Sequence, residues 1–181
     1  MSKAMIVSGK KLRRVAMSGM IENCRESSIE PVSVELHLDN QITRYKLNGP
    51  VGPFQPPNRP DALKSVTTDG EPYVVPPNGR ILGCSQEYIR MPCDVMGFVQ
   101  TKGSLARGFL MLQLCDGQID PGYQGKVTFE IVNLSEFYYS LVPGMAVARL
   151  FILELSEEVE PYKGRYQNAS KPTAMTGEPR E

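Results

Sequence analysis

Residues 116–133 read DGQIDPGYQGKVTFEIVN. The segment IDPGYQG packs an acid, a proline and two glycines into a few residues, which reads as a turn between strands. In that turn Asp120 has one plain task, capping the backbone. The rest of the stretch changes rhythm. Val127, Phe129 and Ile131 share one face, while Thr128, Glu130 and Val132 share the other, so the period is two and the element is a strand.

The same signal repeats outward from this unit. Short apolar runs bounded by Pro or Gly lie near 73–75 (YVV), 80–89 (RILGCSQEYI), 96–102 (MGFVQTK), 109–114 (FLMLQL) and 146–155 (AVARLFILEL). In PVSVELHL (31–38), Val32, Val34, Leu36 and Leu38 alternate with Ser33, Glu35 and His37, a half-buried strand. Strands at this spacing predict a mainly β fold, an antiparallel sandwich or barrel rather than βαβ units. One short helix is expected from Ser8, its N-cap, to Gly19, with Leu12, Val15 and Ala16 at i, i+3 and i+4. Residues 49–60 (GPVGPFQPPNRP) are too rich in proline for a central strand and read as a loop or edge crossing. From Glu157 the chain is polar, a tail expected to order only against something else. There is no internal repeat.

A chain of 181 residues suggests one domain with a sizeable core. Its 20 basic and 20 acidic residues cancel, so no single-sign field draws it to nucleic acid or an anionic membrane. Neither is expected as a partner, and any anion site must be local. No apolar run approaches the ~20 residues of a spanning helix. The apolar stretch near Met1 is too short for a secretory signal. Cys24, Cys84, Cys93 and Cys115 form no CxxC pair and read as reduced thiols, which fits a cytoplasmic location. With His37 the one histidine, a His-rich metal site is excluded, as is a triad on a second histidine. His37 itself reads as a strand-face residue. Pro92-Cys93 looks like the opening of a zinc deaminase PCxxC signature. Position 96 is Met, however, and no HxE or CxE precedes it, so zinc is not an expected cofactor.

Three segments carry candidate chemistry. Glu130 sits mid-strand with apolar residues on both sides. If buried, its charged form is disfavoured and its pKa rises, as a general base or acid requires. The alternative is an exposed face or an ion pair with Arg107 or Lys126. In KGSLAR (102–107), Ser104 can exchange a hydrogen bond with a phosphate oxygen, and Arg107 can bind one bidentately; a solvated turn uses the same residues. In EPYKGRYQN (160–168), Tyr162, Tyr166, Lys163 and Arg165 suit a segment that folds over a phosphorylated ligand, or a solvated tail.

In order and spacing these pieces resemble the dCTP deaminase branch of the dUTPase superfamily over about 150 residues. MIVSGKKL (5–12) resembles the family's opening, and IEPVSVELHL its "PaSvDlrLg" strand. VPPNGRILGCSQEYIRMP resembles the strand pair before the signature motif. KGSLAR resembles the signature RSSLAR, and IDPGYQGKVTFEIVN resembles "iDPGf.G.ltLE..N". SLVPGMAVARLFILEL and PYKGRYQ resemble the closing strands and tail. The resemblance implies a distorted antiparallel β-barrel, residues 1–156, with a tail, 157–181, closing over a nucleotide site. It implies a homotrimer whose sites lie between subunits and hold a deoxynucleoside triphosphate, dCTP or dUTP, with Mg²⁺ carried by the phosphates.

By the same resemblance Glu130 activates the water that attacks C4 of cytosine, and Arg107 and Ser104 complete the catalytic set. Lys102, Tyr162 and Arg165 fall to the nucleotide's phosphates. Asp120 matches the acid that activates water for pyrophosphate release in dUTPases and bifunctional relatives. Tyr123 matches their deoxyribose-packing aromatic.

Some positions depart from the pattern. The first signature serine, which helps hold the catalytic water, is Gly103. The small residue beside the base is Asp116, a nucleotide-site carboxylate that would alter recognition or raise the pKa of Glu130. The strand aspartate is Glu35, the tail glutamine is Ala169, and the usual Leu-Gly after SLAR is Gly108-Phe109. Three readings stay open: a deaminase giving dUTP and ammonia, a dUTPase or bifunctional enzyme using Asp120, and a non-catalytic or altered-substrate nucleotide-binding trimer.

Overall fold

The structure is a computed structural model describing residues 5–46, 62–112 and 116–175. Its strands, in chain order, are β1 (Met5–Ile6), β2 (Ile21–Glu22), β3 (Val34–His37), β4 (Gln41–Tyr45), β5 (Leu63–Thr67), β6 (Tyr73–Val75) and β7 (Arg80–Arg90). They continue with β8 (Val95–Thr101), β9 (Leu110–Met111), β10 (Gln118–Ile119), β11 (Gln124–Asn133), β12 (Tyr139–Leu141) and β13 (Ala146–Glu154). Two helices accompany them, α1 (Gly9–Val15) and the single turn α2 (Gly103–Ala106).

All strand pairs are antiparallel, as the proline- and glycine-bounded runs predict. One sheet runs β1-β13-β8-β10 with β3 also on β13; a second runs β5-β4-β7-β11-β9 with β2 on β7; β12 and β6 form a third. Among the described residues these ladders do not close into one continuous barrel, so the fold is a set of packed antiparallel sheets. Leu36, Leu150 and Ile152 from the first sheet meet Phe129, Ile131 and Ile89 from the second, all with no exposed side-chain surface. Burying such side chains is worth roughly 1.5–3 kcal/mol each.

The helix is shorter than its sequence pattern. It holds α-helical bonding to Val15, then widens into a π-type turn over Ala16–Met20 that Gly19 ends at φ 96°. Ser8 sits at the N-cap, but its side chain makes no capping bond. The 109–114 run is a strand only at β9 among the described residues, and the proline-rich loop 49–60 lies outside them. Short strands without an alternating apolar signal, β4, β5, β10 and β12, were not legible. His37 does not face solvent. It is buried on β3, its Nδ1 2.6 Å from Glu87 Oε1, and its backbone N–H donates to Glu87 Oε2 at 2.9 Å.

A bulge brings Glu87 inward and sets the register of β11. Lys126 pairs with Tyr88 but Thr128 pairs with Cys84, so β7 carries two extra residues there. Ser85 holds the bulge: its hydroxyl accepts from the Val127 N–H (2.9 Å) and donates to the Glu87 carbonyl (2.7 Å). Cys24, Cys84 and Cys93 are free thiols. Burial, then the Asp39 carboxylate, pushes Cys84 up to about 12, which keeps it protonated and inert.

Candidate functional site

β11 forms one wall of a cleft of about 530 Å³. Thr128 and Glu130 project into it from the polar face that the two-residue period assigns them. The turn before β11 adds Asp116, Gln118, Asp120 and Tyr123, and the tail adds Tyr162, Tyr166, Ala169, Thr173 and Met175.

Glu130 is the chemically distinctive group. Its Oε2 atom is buried and has no hydrogen-bond partner among the described residues. Burial, reinforced by the Asp116 carboxylate, pushes its pKa up to about 7. The ion pairs weighed against this reading do not form. Lys126 binds Asp39 instead, and Arg107 does not line the cleft. The base form of a carboxylate is the ionised one, so a reaction that needs it slows as pH falls through the pKa. The rate of any Glu130-dependent step is expected to rise through about pH 7. Asp116→Asn should move that acid limb to lower pH by removing a like charge. A kcat/KM profile from pH 5 to 9 on both proteins measures this.

The tail does not wait for another molecule to order. It folds back on its own chain along the start of β11. The Gln124 N–H donates to Gln167 Oε1 (2.8 Å), Gln167 Nε2 donates to the Gly122 carbonyl (2.9 Å), and the Lys126 N–H donates to the Ala169 carbonyl (2.7 Å). Further on, the Thr173 N–H donates to Thr128 Oγ1 at 3.1 Å. Tyr162 meets Tyr123 edge-on with ring centroids 5.8 Å apart, and the Tyr123 hydroxyl donates to the Lys126 carbonyl at 2.8 Å. Gln167 is a residue the sequence reading missed, because a clamp on two backbone groups has no spacing signature.

Gly122 permits this crossing. It stands at φ 77°, and a Cβ there would lie 2.4 Å from Pro161 Cβ. Gly122→Ala is expected to cost about 1–2 kcal/mol in backbone strain and to lift the tail. Trypsin should then cut after Lys163 and Arg165 several-fold faster than in the parent protein.

The KGSLAR segment is elsewhere. Lys102, Ser104 and Arg107 do not line the cleft, and neither does Arg165. Ser104 and Arg107 are exposed on and just after α2. Lys102 is committed to a salt bridge, its Nζ 2.7 Å from Glu35 Oε1, with Arg149 Nη2 3.7 Å from the same oxygen. A Cβ at Gly103 would meet only Arg107 Nη1, at 3.4 Å, so the lost hydroxyl reflects no shortage of space. One chain thus unites Glu130, Asp116, Asp120, Tyr123 and Tyr162 in the cleft but leaves Lys102, Ser104, Arg107 and Arg165 outside it. Among the described lining residues there are three carboxylates and no lysine or arginine.

The family model described as dCTP deaminase-like matches residues 6–155. The chain is 31% identical over 173 residues to a dCTP deaminase, dUMP-forming, of Persephonella marina, covering 94% of this chain and 96% of that one. It is 33% identical over 179 residues to the protein of the same description in Mycolicibacterium paratuberculosis, covering 93% and 94%. Its fold matches the crystal structure of 2′-deoxycytidine 5′-triphosphate deaminase from Agrobacterium tumefaciens with a TM-score of 0.68 at 16% identity. That match takes in 84% of this chain and 49% of the other, so this chain spans about half the length of that solved protein. A family match across the whole β domain, with relatives aligned nearly end to end, shows that the chain belongs to the dCTP deaminase-like family.

Proposed function

We propose that this protein is an enzyme that hydrolytically deaminates dCTP, with Glu130 as the base. The observation that carries the reading is the buried, unpaired Glu130 oxygen in a cleft that pushes the carboxyl's pKa up to about 7. A group poised there can both take and return a proton at neutral pH. Glu130 takes a proton from water and passes it to N3 as hydroxide adds to C4. It then moves the C4 hydroxyl proton to N4. The C4–N4 bond breaks, and ammonia leaves with C4 as a carbonyl. Glu130 ends as it began, ionised. The fold delivers this geometry because Glu130 lies on a central strand whose register the β7 bulge fixes.

The cleft takes the base and sugar, with Tyr123 against the deoxyribose and the tail as lid. Its carboxylates repel a triphosphate, which therefore needs cations from outside the cleft. Mg²⁺ suits this charge pattern, since it binds phosphate oxygens and few protein groups. Among the described residues no three His, Cys, Asp or Glu side chains converge into a cage for it. The phosphates would hold the ion, and it would neutralise their charge. Arg107 and Ser104 of a neighbouring copy complete the phosphate side, with Tyr162 and Arg165 as further contacts, in a trimer with shared sites.

A second product is favoured by one observation. Asp120 shares the cleft with Glu130, and the similar proteins are described as dUMP-forming. Asp120 would then activate water for release of pyrophosphate after deamination. The test is incubation with dCTP and Mg²⁺, assaying ammonia and pyrophosphate separately. Ammonia with an equal amount of pyrophosphate supports the two-step reading, and ammonia alone supports dUTP as product. Nucleotide binding with neither product rejects both.

A further inference from the structure

Two carboxylates reach the cleft from different sheets. Glu130 stands on β11 of the second sheet, and Asp116 stands just before β10 of the first. The chain beside Asp116 is anchored: the Val99 N–H donates to the Gly117 carbonyl at 2.6 Å, and Ile119 is buried. Both side chains line the one cleft, and the Asp116 charge is felt at Glu130, whose pKa it helps to raise. Asp116 therefore stands near the atoms on which Glu130 acts.

With Glu130 working at C4 of cytosine, the two groups face the edge of the base that the reaction changes. Before reaction that edge carries an amino group, which donates hydrogen bonds. Afterwards it carries a carbonyl oxygen, which only accepts them. Glu130 tolerates either. With its pKa pushed up to about 7, it accepts from the amine when ionised and donates to the carbonyl when protonated. A carboxylate at Asp116 only accepts. It attracts the amine and opposes the carbonyl, an acceptor facing an acceptor with no proton between them. Two side-chain donors of the cleft are committed elsewhere. Gln118 Nε2 donates to Asp120 Oδ1 at 3.2 Å, and the Tyr123 hydroxyl donates to the Lys126 carbonyl at 2.8 Å.

We propose that Asp116 is the specificity-determining residue for the base: it makes the cleft hold cytosine nucleotides and reject nucleotides whose base carries a carbonyl at C4. The proposal rests on the deaminase reading of the cleft. Its role is separate from the proton transfers at Glu130. Uracil and thymine nucleotides then compete poorly for the site, and the deaminated base loses at O4 the attraction that held N4. Each turnover weakens the hold on its own product.

Isothermal titration calorimetry with Mg²⁺ and the α,β-imido analogues of dCTP and dUTP tests this in a Glu130→Gln background. The imido bridge blocks pyrophosphate release and the amide blocks deamination, so binding alone is read. An amide at 130 both donates and accepts, so it favours neither base. The dCTP analogue is expected to bind at least about tenfold tighter than the dUTP analogue, the strength of one charge-assisted hydrogen bond. Adding Asp116→Asn should bring the two affinities level, chiefly by tightening the dUTP analogue, because an amide can donate to O4. Asp116 is exposed, so the change leaves the core intact. Removing a negative charge also eases entry of the triphosphate, but that acts on both analogues alike and leaves their ratio unchanged. An unchanged ratio therefore overturns the proposal, as does equal binding of the two analogues before Asp116 is altered, or equal weakening of both afterwards. Ammonia release from dCTP by the parent with an unchanged ratio overturns the specificity role alone. A ratio that collapses with Asp116→Asn, in a protein whose parent releases no ammonia, counts against the deaminase reading alone. Binding of neither analogue overturns both.

Discussion

Glu130→Gln is expected to lower the deamination rate with dCTP by about 10³-fold, within the 10²–10⁴ range of general acid–base catalysis. The amide keeps the side chain's size but can neither take the water's proton nor return it. The same variant should fold at least as well as the parent above neutral pH. The folded protein holds this carboxyl near 7, against an ordinary value of 4.5. The folded state therefore binds the proton more tightly than the unfolded chain, and stability falls as pH rises through that window. Above it the native state carries the full cost of a half-buried anion, and Gln removes that cost. Thermal melts at pH 8 should show Glu130→Gln level with or above the parent, and melts at pH 4 should show no gain. Lost activity accompanied by a lower melting temperature at pH 8 would mean structural damage. Full activity in this variant would remove Glu130 from the mechanism.

The second large effect is restoration. Arg107→Ala and Glu130→Gln should each be nearly inactive alone, the first from loss of a bidentate phosphate contact worth about 2–4 kcal/mol. If each site takes Glu130 from one copy and Arg107 from the next, subunits mixed by dissociation and reassembly create intact sites. A site is whole when an Arg107→Ala subunit supplies the cleft and a Glu130→Gln subunit supplies the arginine. In a random equal mixture that happens at about one interface in four in a closed ring. The mixture should therefore recover about a quarter of parental activity, measured as ammonia from dCTP. If both residues served one chain's site, every site in the mixture would keep one lesion, and activity would stay at the single-variant level.

The two expectations draw on different parts of the sequence. Glu130 was legible because a strand's period of two places it opposite Val127, Phe129 and Ile131, whatever that strand packs against. Asp120 and Tyr123 were singled out only through the resemblance of the turn that carries them. Arg107 and Ser104 were legible as chemistry but not as location. The resemblance joined them with Glu130 in a site lying between subunits, and within a single chain they lie outside the cleft.

Lys102 shows the same limit. Its charge suggested a phosphate, yet Glu35 on β3 and Arg149 on β13 place it in an ion-paired group on the first sheet. His37 alternated correctly for a solvent face and is buried because a distant bulge in β7 sends Glu87 in to meet it.

By itself, then, the sequence determined the antiparallel β class, the polar face of β11, the turn before it and the family. These follow from side-chain period, proline and glycine placement, and motif order, all of which act over a few residues. Tertiary structure alone decided the burial that pushes Glu130 toward neutrality, the tail's return onto Gly122 and Gln124, and the separation of cleft from cation. Each depends on which segments meet across the fold. Desolvation, ion pairing and hydrogen bonding act through space, and no local pattern records which distant groups the fold will bring within reach.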